Sequence, residues 1–512
     1  MPETVIAKIK KSILPEWKTC FFSAIIFGLI AHMYKLTNWL PNWDSLVFRY
    51  DAQRMLALGR WFLSVACAPS SFYDLPWISG LMSILLHALG AVCICKMFDV
   101  RKKVTAALIG AAVITFPTVS CIMMYNYVAD GYALAFLLSC IAAMLITKDK
   151  PRYIVSAILI ALSVGTYQAY ITVTITLLLL HLILGLASGD ADVKTTIAKG
   201  FKFLLCGIVG MALYYIVLTL LLKVTQTEPL DYQGFSEAAK FAGTDLTASL
   251  YVAKESLIGY FFNFSGGVSV FAVTNCVMFL ISAIIYVTNI VKNKLSPSKV
   301  LVLLALTVLL PFGACALVFI NGSIDYHTLM KMGFFVFVLY FILQYEKTEY
   351  KCKKDETVKA WAIFCVSAIL IFNQIIIANV SYHKLNMAYE KSYGTLVRIA
   401  DRIEETDGAD DCESILVLGH LPDSEAYSAN LPPDMTGTTD GYILRADDEK
   451  VGQSVLCSAI NDYCGKNYSF LAGKEKEELL GKFDYESMSA WPGKDSVSVV
   501  DGVIVIKMGN EV

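Results

Sequence analysis

Residues 153–187 read YIVSAILIALSVGTYQAYITVTITLLLLHLILGLA. A helix that crosses a bilayer needs about 20 mostly apolar residues. This run of 35 is too long for one crossing, and the polar Gly165-Thr166-Tyr167-Gln168 interrupts it. It reads as two spans, 153–166 and 169–187, that meet in a tight turn. The same criterion applied outward finds apolar runs near 19–37, 75–96, 104–123, 131–147, 201–222, 268–291, 300–320, 331–345 and 360–380. The expected fold is therefore a polytopic α-helical membrane protein with about 11 transmembrane helices and its two ends on opposite sides.

Composition leads the same way. Of 512 residues, 56% are hydrophobic and 17% charged, against about 25% charged in soluble domains. An ordinary soluble enzyme, a disordered chain and a collagen-like chain are excluded. The net charge of −2 hides a division. Residues 1–380 carry 30 Lys/Arg and 20 Asp/Glu, whereas residues 381–512 carry 12 and 24. A basic membrane domain, 1–380, and an acidic extracytoplasmic domain, 381–512, are expected. Cytoplasmic loops are enriched in Lys and Arg. With the N-terminus in the cytoplasm, the inner segments hold 22 basic residues and the outer segments before the tail only eight. The first apolar run lacks a small-residue cleavage pattern and reads as a retained anchor. A multi-pass membrane protein with its tail outside follows, with no nucleic-acid partner expected.

In the tail, 415–418 reads as a buried strand, followed by a Pro/Gly/Asp-rich loop over 421–441. Helical patterns lie near 450–461 and 474–482. Asp501-Gly502 marks a hairpin between 496–500 and 503–507, because Asp-Gly suits a two-residue turn. The tail is thus expected to be a small α/β domain. Residues 59–66 are expected to form a short amphipathic helix at the membrane surface, and 223–267 a second large outer loop. Most cysteines lie in apolar runs, where they behave as small hydrophobes. Cys93 and Cys95 fall on different helix faces, which disfavours a metal site. A Cys457–Cys464 bridge is open if the tail faces an oxidising space.

The chain has no Walker A loop, no Gly-x-Ser-x-Gly elbow and no His-Glu-x-x-His, so chemistry must use polar groups at the outer membrane face. Such groups are costly near a bilayer and are functional candidates by default. Asp44, beside Trp43, suits a general base toward a hydroxyl or a helix N-cap. Asp51 and Arg54, at i and i+3, suit an ion pair, and Arg60 follows. Asp130 opens a span after Tyr125-Asn126-Tyr127 and suits capping or chemistry. Tyr167 and Gln168 occupy the helix break, where they serve the backbone or a ligand. His327, in the loop from Asn321, precedes Lys331; together they suit a phosphate or sugar. His87 and His181 read as packed histidines.

Asn42-Trp43-Asp44, Leu58-Gly59-Arg60-Trp61, Tyr125 to Asp130 and Leu162 to Ala169 together resemble the GtrII-type bacterial glucosyltransferase family. That family modifies O-antigen and other cell-surface polysaccharide, and is similar to the GT-C class of multispan transferases that use a polyprenyl-phosphate sugar. The resemblance implies Asp44 as the leading catalytic residue, with Arg60, Asp130, Tyr167 and Gln168 on further family-like positions. Two departures stand out. Asp44-Ser45 replaces the paired acids of many relatives, and His327 lies where relatives often carry Arg.

The activity this resemblance implies is transfer of a hexose, glucose by the family's name, from a polyprenyl-phosphate donor to a surface glycan. Asp44 and Asp130 are the catalytic candidates. Trp43, Asp51, Arg60, Tyr125, Tyr167, Gln168, His327 and Lys331 are the substrate-binding candidates. No cofactor is firmly implied: a divalent metal is compatible but not required, because the leaving group is already a phosphate. The rival reading is a transporter or flippase for lipid-linked glycans. Transport favours ionisable groups and broken helices near the midplane, and here only Gly165–Gln168 fits that pattern.

Overall fold

A computed structural model of the chain describes residues 2–4, 13–42, 44–45, 55–71, 73–230, 245–264, 269–320, 324–348, 354–421, 435 and 449–509. Trp43, Asp51 and Arg54 lie outside the described residues, as does most of the loop expected over 421–441.

The chain divides into two compact units. The first comprises residues 1–38, 51–379 and 430–435. Its helices are α1 (Pro15–Thr37), α2 (Pro76–Met97), α3 (Lys103–Thr115), α4 (Pro117–Met124), α5 (Ala129–Ile146), α6 (Tyr153–Thr166), α7 (Ile171–Ala187), α8 (Val193–Thr225), α9 (Leu246–Phe261), α10 (Val270–Lys292), α11 (Pro297–Ala314) and α12 (Phe335–Glu346), with part of α13 (Lys354–Glu404). Among the described residues, nine helices are long and apolar enough to cross a membrane, or up to ten if the bent pair α3–α4 is one span. Pro117 sets the 41° bend of that pair, since proline starts a helix well and continues one badly. α6 has 14 residues, fewer than a perpendicular crossing needs. The protein is thus a multi-pass membrane protein by its helices.

α5 is mostly buried, whereas α8 and α11 present exposed Leu204, Ile208, Leu301 and Val308. A helix that is apolar on all sides belongs in a membrane or in a core. These two faces are what lipid would cover.

The break within 153–187 is where it was expected. α6 ends at Thr166, a single 3₁₀ turn covers Gln168–Tyr170, and α7 begins at Ile171. The expected surface helix over 59–66 is not formed. Helix is confined to Leu63–Cys67, and Arg60 and Leu63 are buried. The Phe62 amide donates to the Gly165 carbonyl at 2.7 Å, satisfying one of the orphan acceptors at the end of α6. The Trp61 ring occupies the space of a side chain at Gly165, with Cε2 2.5 Å from an added Cβ. Gly165→Ala is therefore expected to destabilise by about 1–3 kcal/mol through overpacking, read as a lower midpoint of thermal unfolding in detergent. An unchanged midpoint would mean that the ring swings aside freely.

The region expected to hold one large loop, 223–267, contains α9. The expected span 360–380 is part of one longer helix, α13, of 51 residues. It contributes to both units.

The second unit comprises residues 39–50, 380–429 and 436–512. Its sheet holds β1 (Ser414–Leu418), β2 (Ser469–Phe470), β3 (Val497–Val500) and β4 (Val503–Lys507) in the order β2-β1-β4-β3. β1 runs parallel to β2 and β4, and β3–β4 is the antiparallel hairpin. Asp501 and Gly502 both have positive φ, 47° and 74°, as a type I′ turn requires. Side chains alternate across the sheet. Ile415, Val417, Ile504 and Ile506 pack on Leu396, Ile399 and Ile460 of α13 and α14 (Glu449–Cys464). Leu416, Leu418 and Val505 pack on Leu479 of α15 (Lys474–Leu480). The Cys457–Cys464 bridge is not formed; both thiols are free. Both residues lie on α14, where seven residues rise about 10 Å, beyond the roughly 7 Å Cα limit of a disulfide. The Cys457 thiol instead points at the Tyr468 carbonyl and that of Cys464 at the Leu396 carbonyl.

Candidate active site

The turn before Leu63–Cys67 is built by backbone bonds. Gly59 donates to Leu56 at 2.9 Å, and Arg60 donates to Met55 at 2.7 Å. Gly59 has φ 76°, a conformation that glycine adopts without strain. Three further groups grip this turn. Gln168 Nε2 donates to the Leu58 carbonyl at 2.8 Å, the Tyr214 hydroxyl donates to the Gly59 carbonyl at 3.1 Å, and Gln168 Nε2 lies 3.4 Å from the Tyr214 hydroxyl. The helix break thus brings Gln168 onto the Gly59-Arg60-Trp61 motif.

Arg60 is only 8% exposed. Its Nη1 donates to the Tyr132 hydroxyl at 3.2 Å, and its guanidinium carbon lies 4.9 Å from the Tyr167 ring centre. Tyr132 and Tyr167 stack at 4.4 Å with 15° between their planes. A cation on an aromatic face is attracted by the ring quadrupole. The two phenols therefore fix the position of the guanidinium.

His327 and Lys331 come from the next connection. The Tyr326 hydroxyl donates to the Ala314 carbonyl at 2.7 Å, and Thr118 Oγ1 donates to the Thr328 carbonyl at 2.9 Å. These bonds pin both sides of His327. Lys331 Nζ stands 5.8 Å from the Tyr326 ring centre. Burial holds His327 down to about 4, opposed by Asp325 and reinforced by the charges of Lys331 and Arg60. The imidazole thus lies in the field of two cations, and its Nδ1 is buried without a hydrogen bond. Arg60 and Lys331, from two distant segments, thus both act on one neutral imidazole, and two cations so placed suit an anionic phosphate.

A pH prediction follows from His327. Its folded value lies below the ordinary value of 6.5, so the neutral form is the one the fold favours. That stabilisation is complete above 6.5 and is lost as pH falls toward 4. The unfolding temperature of the detergent-solubilised protein is expected to fall between pH 7 and pH 5, and to fall less in His327→Gln. Equal falls in both proteins would count against a buried neutral imidazole.

Asp130 is fully buried in the first turn of α5. It does not cap that helix; the N-cap position is Val128, with no side-chain bond. Its carboxylate oxygens make no regular hydrogen bond and lie beside Ser70 and Cys67. Tyr132 faces Arg60 two residues on, so Asp130 points elsewhere, since i and i+2 lie on different faces. Tyr125 is buried where α4 ends. Asp44 is half-buried in the second unit. The capping role considered for it belongs to Asn42, whose Oδ1 accepts from both the amide and the hydroxyl of Ser45 at 2.9 Å. His87 is packed as expected, stacked on Phe136 at 5.1 Å with Nδ1 bonded to the Ser83 carbonyl. Among the described residues, no group of three or more His, Cys, Asp or Glu is arranged to hold a metal ion.

The sequence reading missed Tyr132 and Tyr214 as site residues. Tyr132 was legible as a neighbour of Asp130. Tyr214 sits within an apolar span, and no local signal marks it.

A multi-pass helical protein with a phenol-cradled arginine and two further basic groups fits the membrane glycosyltransferases. A family model described as Glucosyl transferase GtrII matches residues 33–341. The match covers more than half of the chain, and the chain belongs to that glycosyltransferase family. Every candidate site residue named above lies within it. No curated protein and no solved structure matches.

Proposed function

We propose that the protein transfers a hexose, glucose by its family, from a polyprenyl-phosphate donor to a surface glycan at the extracytoplasmic face of a bacterial cytoplasmic membrane. The observation that carries this reading is the convergence of Arg60, His327 and Lys331. Nucleotide sugars are confined to the cytoplasm, so an outward-facing transferase needs a lipid-linked donor. Charge distribution supports that orientation, since the segments assigned to the inside carry 22 Lys/Arg. On the same reading α6 crosses as a short, tilted span, which makes eleven. Residues 1–380 form a GT-C-like membrane domain and 381–512 an extracytoplasmic α/β domain.

In the proposed mechanism Arg60 and Lys331 hold the donor phosphate, with His327 beside them. Asp44 takes the proton of an acceptor hydroxyl as its oxygen attacks the anomeric carbon. The bond from that carbon to the phosphate oxygen breaks, and polyprenyl phosphate leaves with the electron pair, its charge met by the cations. Asp130 orients the sugar or the acceptor. Tyr125, Tyr167 and Gln168 line the donor side, and Trp43 and Asp51 are proposed contacts in the first outer loop. A divalent metal is compatible with this chemistry and is given no role.

The test is purified protein with radiolabelled polyprenyl-phosphate glucose and a surface-glycan extract. Label appearing in glycan supports the reading. Movement of labelled lipid between leaflets without transfer would support a flippase instead.

A further inference from the structure

Four aromatic rings meet in the second unit, which includes Trp39, Tyr389, Tyr393 and Tyr463. The Trp39 ring centre lies 5.6 Å from that of Tyr389 on α13, at 78°, and 6.1 Å from that of Tyr463 on α14. Tyr393, one turn after Tyr389, lies 6.4 Å from it with 24° between the planes and meets Tyr463 edge-on at 5.8 Å. Rings that only filled a core would be sealed from water. Here Tyr393 is 42% exposed, and Trp39, Tyr389 and Tyr463 are half-buried. Polar groups flank the rings. Residues three and four apart on a helix are neighbours, so Asn386 and Glu390 lie beside Tyr389 and Tyr393 on α13. Asn386 Nδ2 donates to Glu390 Oε1 at 2.8 Å in an exposed position. A side-chain amide has two donor hydrogens and two acceptor sites, and a carboxylate has about four acceptor sites. One bond between them leaves both groups able to bind hydroxyls.

An aromatic face carries negative charge density that attracts the polarised C–H groups of a sugar ring. The hydroxyls of a sugar need donors and acceptors side by side. Rings next to an amide and a carboxylate therefore suit a glycan. An anionic lipid surface is opposed by charge, since residues 381–512 carry 24 Asp/Glu against 12 Lys/Arg. We propose that Trp39, Tyr389, Tyr393 and Tyr463, with Asn386 and Glu390, form a platform that binds the acceptor glycan. The inference rests on the proposed transferase reading and deepens it by giving the acceptor a site. Trp39 and Asp44 belong to the same unit, and the five residues between them span at most about 18 Å. A few sugar units cover that distance, so a glycan held on the rings presents a hydroxyl to the proposed base. The platform sets acceptor affinity and touches no reacting atom.

The experiment uses the full-length protein in detergent. The probe is oligosaccharide cut from the surface glycan of its own cells and labelled with a fluorophore at the reducing end. Binding is read by fluorescence anisotropy without donor, and transfer by initial rates with polyprenyl-phosphate glucose. Tyr393→Ala removes an exposed ring and leaves the core closed. It is expected to weaken oligosaccharide binding and to raise the acceptor KM by about fivefold or more, with kcat and the donor KM changed by less than about twofold. Asn386→Leu removes the amide and is expected to weaken binding by about threefold or more. Tyr393→Phe keeps the ring and is expected to bind within about twofold of the parent protein. Parent-like binding by Tyr393→Ala would overturn the platform. If that variant also melted lower in phosphatidylglycerol vesicles, the rings would belong to a lipid surface instead.

Binding measured without donor keeps the platform distinct from the reading on which it rests. If the parent protein binds oligosaccharide and transfers nothing, the transferase reading fails, and weaker binding by Tyr393→Ala still supports a glycan site. If the parent transfers label and Tyr393→Ala keeps the parent's acceptor KM, the platform fails and the transferase reading stands.

Discussion

Arg60→Ala is expected to lower kcat/KM for sugar transfer by about 100- to 1,000-fold, the usual loss when one preorganised donor to a developing anion is removed. The side chain is buried, bonded to Tyr132 and set against Tyr167, so its charge is already desolvated and aimed before substrate arrives. Arg60→Lys separates charge from shape. Lysine keeps the cation but loses the planar fork that meets a phosphate with two parallel bonds, and a loss of about tenfold or more is expected to remain. Initial rates across donor concentrations, measured on protein of matched melting temperature, check both variants. Parent-like activity in Arg60→Ala would remove the phosphate site.

Asp44→Asn carries the second large effect. Loss of a general base typically costs about 100- to 10,000-fold, and membrane insertion is expected to be unaffected. The substitution is nearly isosteric, and helix capping at this point belongs to Asn42, so lost activity would not follow from a lost cap. Asp130→Asn is the informative companion. If Asp130 only orients substrate, its variant should keep the acid limb of the pH–rate profile, which Asp44→Asn flattens. If the acid limb survives in Asp44→Asn and vanishes in Asp130→Asn, the two roles are exchanged.

Much of this architecture is legible in the sequence because it is written locally. The interruption at Gly165–Gln168 is read from four polar residues in a long apolar run, and the β3–β4 hairpin from Asp501-Gly502. The family resemblance rests on motifs that fall inside the matched region. What escapes is nonlocal. Residues 59–66 look amphipathic, yet the Trp61 ring docks against a glycine 104 positions later and Gly59, Arg60, Leu63 and Ala66 are buried. Lys35 counts in the sequence as one more basic residue near a membrane surface; that it is 1% exposed depends on how α1 packs. Asp130 looks like a helix cap and is not one, because the backbone turns at Val128. β2, with two residues, is too short to announce itself and exists through its pairing with β1.

The most direct measurement is transfer of label from polyprenyl-phosphate glucose to glycan by the purified parent protein and by Arg60→Ala, side by side. The account predicts robust incorporation by the parent and near-background incorporation by a variant that remains folded. Equal incorporation by both, or none by a folded parent supplied with its own cell's glycan, would contradict it.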